Sequence, residues 1–243
     1  MRAIKLFSTG DIRTVDVDVP SPAKSDILIK VEAAGICGTD RHLYHGEFPS
    51  VPDKILGHEF SGIVVDSGES DIPEGARVTC DPNTWCGACS QCQRGRVNLC
   101  LNNLATGIHR DGGFAEFCVF PASKAVVLPD DINPLYGAFC EPLACTLHGM
   151  DMGAASEGET VLVIGGGVIG LMAVQLAKLA GAEVVLLTRN PQKQALGLNI
   201  GADYAVGTEI EVRDIWPEGA DLVVECAGVS ATVTLSHKLA RSG

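Results

Sequence analysis

In the first half of the chain, apolar residues come in short bursts, often alternating with polar ones, with Gly- and Pro-containing turns between them. Residues 1–7, 12–19, 27–32, 60–65, 77–80, 113–120 and 125–128 follow this pattern and predict short strands. Many short strands separated by such turns point to a barrel-like, β-rich unit. Residues 39–45 read as a short helical turn, and 135–149 as a helix leading out of the unit. From Thr160 the rhythm changes. Residues 160–164, 183–188, 204–206 and 221–225 are almost continuously apolar, and 168–180, 191–199 and 230–241 read as helices between or after them. The helix at 191 carries Pro at its first turn, where the missing N–H costs nothing. Such alternation is the mark of a parallel sheet covered on both faces. The fold class is therefore α/β with a β-rich domain, divided as residues 1–149 and 150–243.

Composition narrows the function. A chain of 243 residues with 46% hydrophobic and 20% charged residues is a well-buried globular protein of one large or two modest domains. Eighteen Lys+Arg against 30 Asp+Glu give a net charge of −12, which disfavours nucleic acid as a partner, and no basic patch with interleaved aromatics stands out. The N-terminus MRAIKLFSTG lacks the apolar run of a signal peptide, and no stretch reaches membrane-spanning length. The expectation is a cytoplasmic protein with no membrane partner. Its ten cysteines then read first as metal ligands in a reducing compartment and second as disulfides.

Three clusters carry chemistry. Ala33–His42 reads AAGICGTDRH, with Gly35 and Gly38 flanking Cys37, and Gly57-His58-Glu59 follows about twenty residues later. A thiolate, an imidazole and a carboxylate are the donors of a zinc site that keeps a position open for substrate. Cys86-x2-Cys89-x2-Cys92-x7-Cys100 offers four thiols, with turns at Gly87 and Gly95 that let them converge. Four cysteines with no open position describe a structural zinc, and an iron–sulfur cluster is the minor alternative. Gly165-Gly166-Gly167-Val168-Ile169-Gly170 satisfies GxGxxG between a strand and a helix, the context in which glycines admit a pyrophosphate to a helix N-terminus.

With these motifs in this order, the chain resembles the zinc-dependent medium-chain alcohol and polyol dehydrogenases. The resemblance runs from the first strand to the last residue. It implies a GroES-like catalytic domain followed by a Rossmann domain, and two zinc ions per chain. Only four strands of the nucleotide fold can be counted where six are usual, so the Rossmann domain reads as incomplete and the chain as the N-terminal portion of an enzyme. By resemblance, Cys37 and His58 hold the catalytic zinc, with Glu59 beside them. Glu141, in Cys140-Glu141-Pro142, stands where sorbitol-dehydrogenase-like members have Glu-Pro, and is assigned to the same zinc. Cys86, Cys89, Cys92 and Cys100 hold the structural one.

The implied reaction moves a hydride between a nicotinamide cofactor and a secondary alcohol or polyol. Zinc acts as the Lewis acid, Thr39 takes the hydroxyl proton, and His42 lies further along the relay. Asp40 is a candidate for orienting His58. An amino alcohol, as in threonine dehydrogenases, is the nearest alternative substrate. A non-catalytic nucleotide-binding relative is the alternative from another class. Cofactor contacts fall to Gly165, Gly167, Val168, Ile169 and Gly170. At the end of the second strand, where NAD enzymes place an acid, this chain has Thr188, then Arg189, with Lys193 one turn on. Loss of that acid and gain of a cation favour NADP(H) over NAD(H). A small alcohol is the expected partner, and the full-length enzyme is expected to be a homodimer or homotetramer.

Overall fold

The computed structural model describes residues 1–49 and 51–242. The chain divides into two compact units, Met1–Glu141 and Pro142–Gly243. In the first, a five-stranded antiparallel sheet runs in the order Ala125–Val127, Arg77–Cys80, Glu59–Asp66, Asp26–Gly35, Phe117–Pro121. A second sheet pairs Arg2–Ser8 with Asp11–Asp16 and Lys54–Ile55. Alternation along these strands sends Ile27, Ile29, Phe60, Val64, Val78 and Phe120 into one core, with the Phe60 and Phe120 rings edge to face. Cys80 and Cys118 lie in that core as free thiols. Burial pushes both thiols up, as expected of cysteines with no water to stabilise the thiolate.

Two sequence expectations change here. The expected strand at 113–120 begins only at Phe117. Gly112, Gly113 and Phe114 instead donate N–H groups to the carbonyls of Ile55, Gly57 and Leu56, a close approach that a Cβ on Gly112 or Gly113 would block. The expected single helix at 135–149 is two helices, Pro134–Ala138 and Cys140–Gly153, broken at Phe139. Pro142 is the reason. It lacks an N–H and is tolerated in a first helical turn but not in a helix interior.

The second unit is a parallel sheet in the order Tyr204–Val206, Glu183–Leu187, Thr160–Ile164, Leu222–Glu225. In chain order this is 3-2-1-4, the order of the first four strands of a doubly wound dinucleotide fold. Helix Val168–Leu179 covers one face, burying Ala173, Val174 and Ala177 against Val161, Val163, Val184 and Leu186. On the other face Leu162, Ile164, Val185 and Leu187 pack with Val212, Trp216 and Leu239. Val212 belongs to a helix, Glu209–Ile215, which the apolar pattern did not announce. A capping box between Thr208 and Glu211 starts it.

Candidate metal centres and nucleotide turn

Strand register brings the first cluster together. Gly35 pairs with Glu59 and Ala34 with Phe60, so Cys37, just beyond one strand, meets His58, just before the other. The candidate ligand atoms of Cys37, His58 and Glu59 lie within 4.8 Å of one another. Gly35 makes room for this. A Cβ there would overlap the Glu59 carboxylate and stand 3.3 Å from its Cβ.

Cys37 also caps helix Gly38–His45, and its N–H donates to Asp40 Oδ2 at 2.9 Å. Asp40 and His58 are buried, only 4% and 6% exposed. Asp40 Oδ1 and His58 Nδ1 face each other at 3.7 Å, each otherwise without a hydrogen-bond partner. A ring whose Nδ1 is aimed at a carboxylate presents Nε2 as the free ligand atom, the usual arrangement for a metal-bound imidazole. Burial pushes the Asp40 carboxyl up against the opposing pull of His58 and of backbone N–H groups. Burial likewise pushes up the Cys37 thiol, while Thr39 directs both its N–H and its hydroxyl at that sulfur and the Glu59 carboxylate adds to the rise. Soft sulfur, imidazole and carboxylate, with an orphaned buried pair behind them, fit a zinc ion. Glu141 is half-buried in the first turn of helix Cys140–Gly153 and is not one of the close trio. Cys140 donates its thiol toward the Tyr136 carbonyl.

The second cluster sits on an excursion between the short strands Asn83–Thr84 and Leu104–Ala105. A tetrahedron with metal–sulfur bonds of about 2.3 Å has edges of about 3.8 Å. Cys100 Sγ lies 3.6 Å from Cys86 Sγ and 4.0 Å from Cys89 Sγ, and all four sulfurs fall within 4.8 Å of one another. These spacings are far too long for S–S bonds, so the four residues are thiols. Backbone N–H groups are already turned toward the sulfurs. Those of Cys92 and Leu101 hold Cys89 down at about 6, and those of Ala88 and Cys89 lower Cys86. Desolvation, followed by sharing with Cys89 and Cys100, pushes Cys92 up to about 12. At the base of the excursion the Lys124 ammonium is salt-bridged to Asp81 at 2.8 Å and lies over the Trp85 ring.

In the other unit, Gly165 has φ of 110°, a conformation L side chains rarely adopt, and closes the strand into the turn. Gly167 is the N-cap of helix Val168–Leu179. A Cβ on Gly170 would overlap the Gly165 carbonyl oxygen, and one on Gly166 would touch Lys193 Cβ at 3.0 Å and Thr188 Oγ1 at 3.1 Å. Thr188 and Lys193 therefore stand beside the glycine turn, with Arg189 exposed next to them. The Thr188 carbonyl is held by Gln194 Nε2 at 2.7 Å, and Asn190 caps helix Pro191–Asn199 through the Gln192 and Lys193 N–H groups. Two residues near the sites went unnoticed in the sequence. Gln194 steadies the end of the second strand, and Glu47 pairs with His42 at 2.6 Å. His109 and His237 each make local backbone contacts. No helix among the described residues is long and apolar enough to cross a membrane.

Comparison with known proteins agrees with this layout. Residues 23–130 match the alcohol dehydrogenase GroES-like domain and residues 168–243 the zinc-binding dehydrogenase domain. The chain is 36% identical to a sorbitol dehydrogenase of Halalkalibacterium halodurans over 231 residues, covering 90% of this chain and 67% of that protein. It is 33% identical to an L-threonine 3-dehydrogenase of Bacillus velezensis over 241 residues, covering 94% of this chain and 70% of that one. A zinc-binding dehydrogenase from Sinorhizobium meliloti, solved bound to NADP, superposes with a TM-score of 0.96 at 52% identity, covering all of this chain and 74% of that one. By sequence, fold and the residues gathered at its sites, the chain belongs to the zinc-dependent medium-chain alcohol and polyol dehydrogenases.

Proposed function

We propose that this chain carries the zinc- and nucleotide-binding machinery of an NADP(H)-preferring dehydrogenase of secondary alcohols or polyols. The observation that carries the reading is the close trio of half-buried Cys37 with His58 and Glu59, backed by the orphaned Asp40–His58 pair. These three, with Glu141, would hold a catalytic zinc, and Cys86, Cys89, Cys92 and Cys100 a structural one, in the β-rich part at residues 1–149. When bound, the catalytic ion supplies Lewis acidity toward an alcohol hydroxyl. Cys37 and His58 fix its place, and Asp40 keeps the His58 ring oriented. Thr39, whose hydroxyl already points at the Cys37 sulfur, takes the hydroxyl proton, and His42 receives it next. Thr39 and His42 are three apart in one helix and so share a face.

Residues 150–243 hold the dinucleotide. Gly165, Gly167, Val168, Ile169 and Gly170 admit the pyrophosphate to a helix N-terminus, and Thr188, Arg189 and Lys193 meet the 2′-phosphate. The absence of an acid at Thr188 and the NADP bound to the Sinorhizobium relative support that preference. Sorbitol dehydrogenase among the relatives supports a polyol. The threonine dehydrogenase of similar identity keeps an amino alcohol as the second reading. A homodimer or homotetramer belongs to the same proposal, supported by the exposed Leu99 and Leu101 of the cysteine excursion, which an interface would cover.

The test is a dehydrogenase screen of zinc-loaded protein with polyols, secondary alcohols and threonine, each with NADP and NAD. Elemental analysis should give about two zinc atoms per chain. Turnover should favour a polyol with NADP and vanish in Cys37→Ala, with NADP affinity retained. The preference should move toward NAD in Thr188→Asp/Arg189→Leu. A zinc content near zero would overturn the metal assignment. A wild-type preference for NAD would overturn the cofactor one.

A further inference from the structure

Helix Gly38–His45 ends on Gly46, whose φ of 72° turns the chain back on itself. The Gly46 N–H donates to the Leu43 carbonyl at 3.2 Å and the Glu47 N–H to the His42 carbonyl at 2.9 Å, a paired C-cap that glycine makes possible. This cap delivers the Glu47 side chain to the His42 ring, where Oε2 lies 2.6 Å from Nδ1. The hydrogen bond from His42 holds the Glu47 carboxyl below its usual range, with His42, His45 and Arg41 adding charge. Glu47 is therefore an ionised, acceptor-only partner, so Nδ1 must be the donor. In the neutral ring the lone pair then sits on Nε2. Both side chains are more than half exposed, so the pair contributes little to stability. What it fixes is a tautomer and a ring orientation.

We propose that Glu47 is a positioning residue for the proton path of the dehydrogenase. It locks His42 as the Nδ1–H tautomer, so that Nε2 is ready to accept the proton leaving the substrate hydroxyl. The inference rests on the Thr39–His42 relay proposed above. In alcohol oxidation the carbinol C–H leaves as hydride to the oxidised nicotinamide. The hydroxyl proton passes to the Thr39 oxygen while Thr39 gives up its own, and His42 Nε2 takes that proton. The imidazolium, its Nδ1–H still bonded to Glu47, then releases one proton to solvent.

The experiment compares wild type, Glu47→Ala, Glu47→Gln, His42→Ala and Glu47→Ala/His42→Ala in the zinc-loaded full chain with NADP. Nitrogen-15 spectra of the histidine rings read the tautomer without reference to activity. His42 should carry its proton on Nδ1 in wild type and in Glu47→Gln, whose amide oxygen still accepts. It should shift toward Nε2–H in Glu47→Ala. Glu47→Ala should lower kcat about tenfold, with the KM for NADP and the melting temperature unchanged. Glu47→Gln should recover most of the loss, and Glu47→Ala should cost nothing further in the His42→Ala background. An Nε2–H ring in wild type overturns the inference, and so does an equal cost of Glu47→Ala with and without His42. Wild-type turnover by His42→Ala would instead overturn the relay itself, and the inference with it, even where the tautomer shift is seen.

Discussion

Gly167 and Gly170 lie three residues apart in one motif, yet the structure gives them different work, and alanine at each should separate the two. At Gly170 an added methyl would overlap the Gly165 carbonyl oxygen, with the carbonyl carbon at 3.0 Å and Val163 Cγ1 at 3.4 Å. The obstacle is backbone, which cannot swing aside as a side chain can. Overpacking of this kind costs about 3 kcal/mol at the upper end, and alanine returns about 1 kcal/mol of helix propensity. The net loss is about 2 kcal/mol, which in a unit of this size lowers the melting temperature by roughly 10 °C. Since the turn must move, NADP binding should weaken as well. At Gly167 a Cβ meets nothing within 4 Å, and its φ of −81° suits any residue. Gly167→Ala should cost under about 1 kcal/mol of stability, from the poorer N-cap. Its methyl, however, would stand where pyrophosphate must approach the helix, so NADP should bind at least about tenfold more weakly, or 1.4 kcal/mol. Thermal melts and fluorescence titration with NADPH read the two quantities separately. A Gly170→Ala melt within about 2 °C of wild type, or unchanged NADPH affinity in Gly167→Ala, would refute the division.

Three further outcomes follow from the structure. Asp221 Oδ2 accepts the Thr160 N–H at 2.9 Å and its hydroxyl at 2.8 Å, and these bonds, with Arg241 adding charge, hold its carboxyl below the usual range. A depressed carboxyl stabilises the fold above its unfolded pKa of about 3.9 and stops doing so as pH falls through the lower folded value. Asp221→Asn should therefore lose about 1–2 kcal/mol at pH 7 and progressively less in acid; equal losses by urea unfolding at both ends would sink the idea. Gly57 has φ of 92°, and a Cβ would stand 2.8 Å from Phe114 Cε1. Gly57→Ala should cost about 2 kcal/mol and loosen zinc in chelator competition, and Gly57→Ala/Phe114→Ala should fail to restore stability, because the backbone strain remains. Cys92→Ser should leave about one zinc per chain by elemental analysis, because the two candidate sites share no ligand.

What could be read from the sequence was what chemistry demands locally. The four thiols spaced over Cys86–Cys100 converge within 4.8 Å of one another, as their spacing and flanking glycines suggested, and the glycine turn announced itself by lying between an apolar strand and a helix. The helix Glu209–Ile215 escaped because its apolar positions are few, although Thr208 and Glu211 stood at capping-box spacing. The break at Phe139 was signalled by Pro142, a residue that begins helices more readily than it continues them. Glu47 looked like any acid beside a glycine. Its role depends on the left-handed φ of Gly46 and on a cap that no periodicity reports.

The position of the Cys37–His58–Glu59 trio was legible in composition but not in cause, because the contacts that set it join distant segments through missing side chains. Gly35 leaves room for the Glu59 carboxylate where their strands pair. Gly62 lets the Glu59–Asp66 strand lie against the Lys30 carbonyl, with Ile29 Cγ2 2.8 Å from where a Cβ would stand. Around Gly57, a Cβ on Gly107 would stand 2.6 Å from the Gly57 carbonyl carbon, and one on Gly112 would stand 2.8 Å from the Leu56 carbonyl oxygen. Residues 107–113 thus close down on the backbone immediately before His58, and the Gly113 N–H donates to the Gly57 carbonyl at 2.8 Å. A candidate ligand histidine held by backbone packed on backbone has little freedom to drift, since carbonyls and Cα atoms have no rotamers to yield. The rigidity the proposed zinc site would need is therefore set by glycines at 35, 57, 62, 107 and 112, far apart in sequence, none of which offers a ligand side chain. Nothing in the sequence around Gly62, Gly107 or Gly112 announces that role.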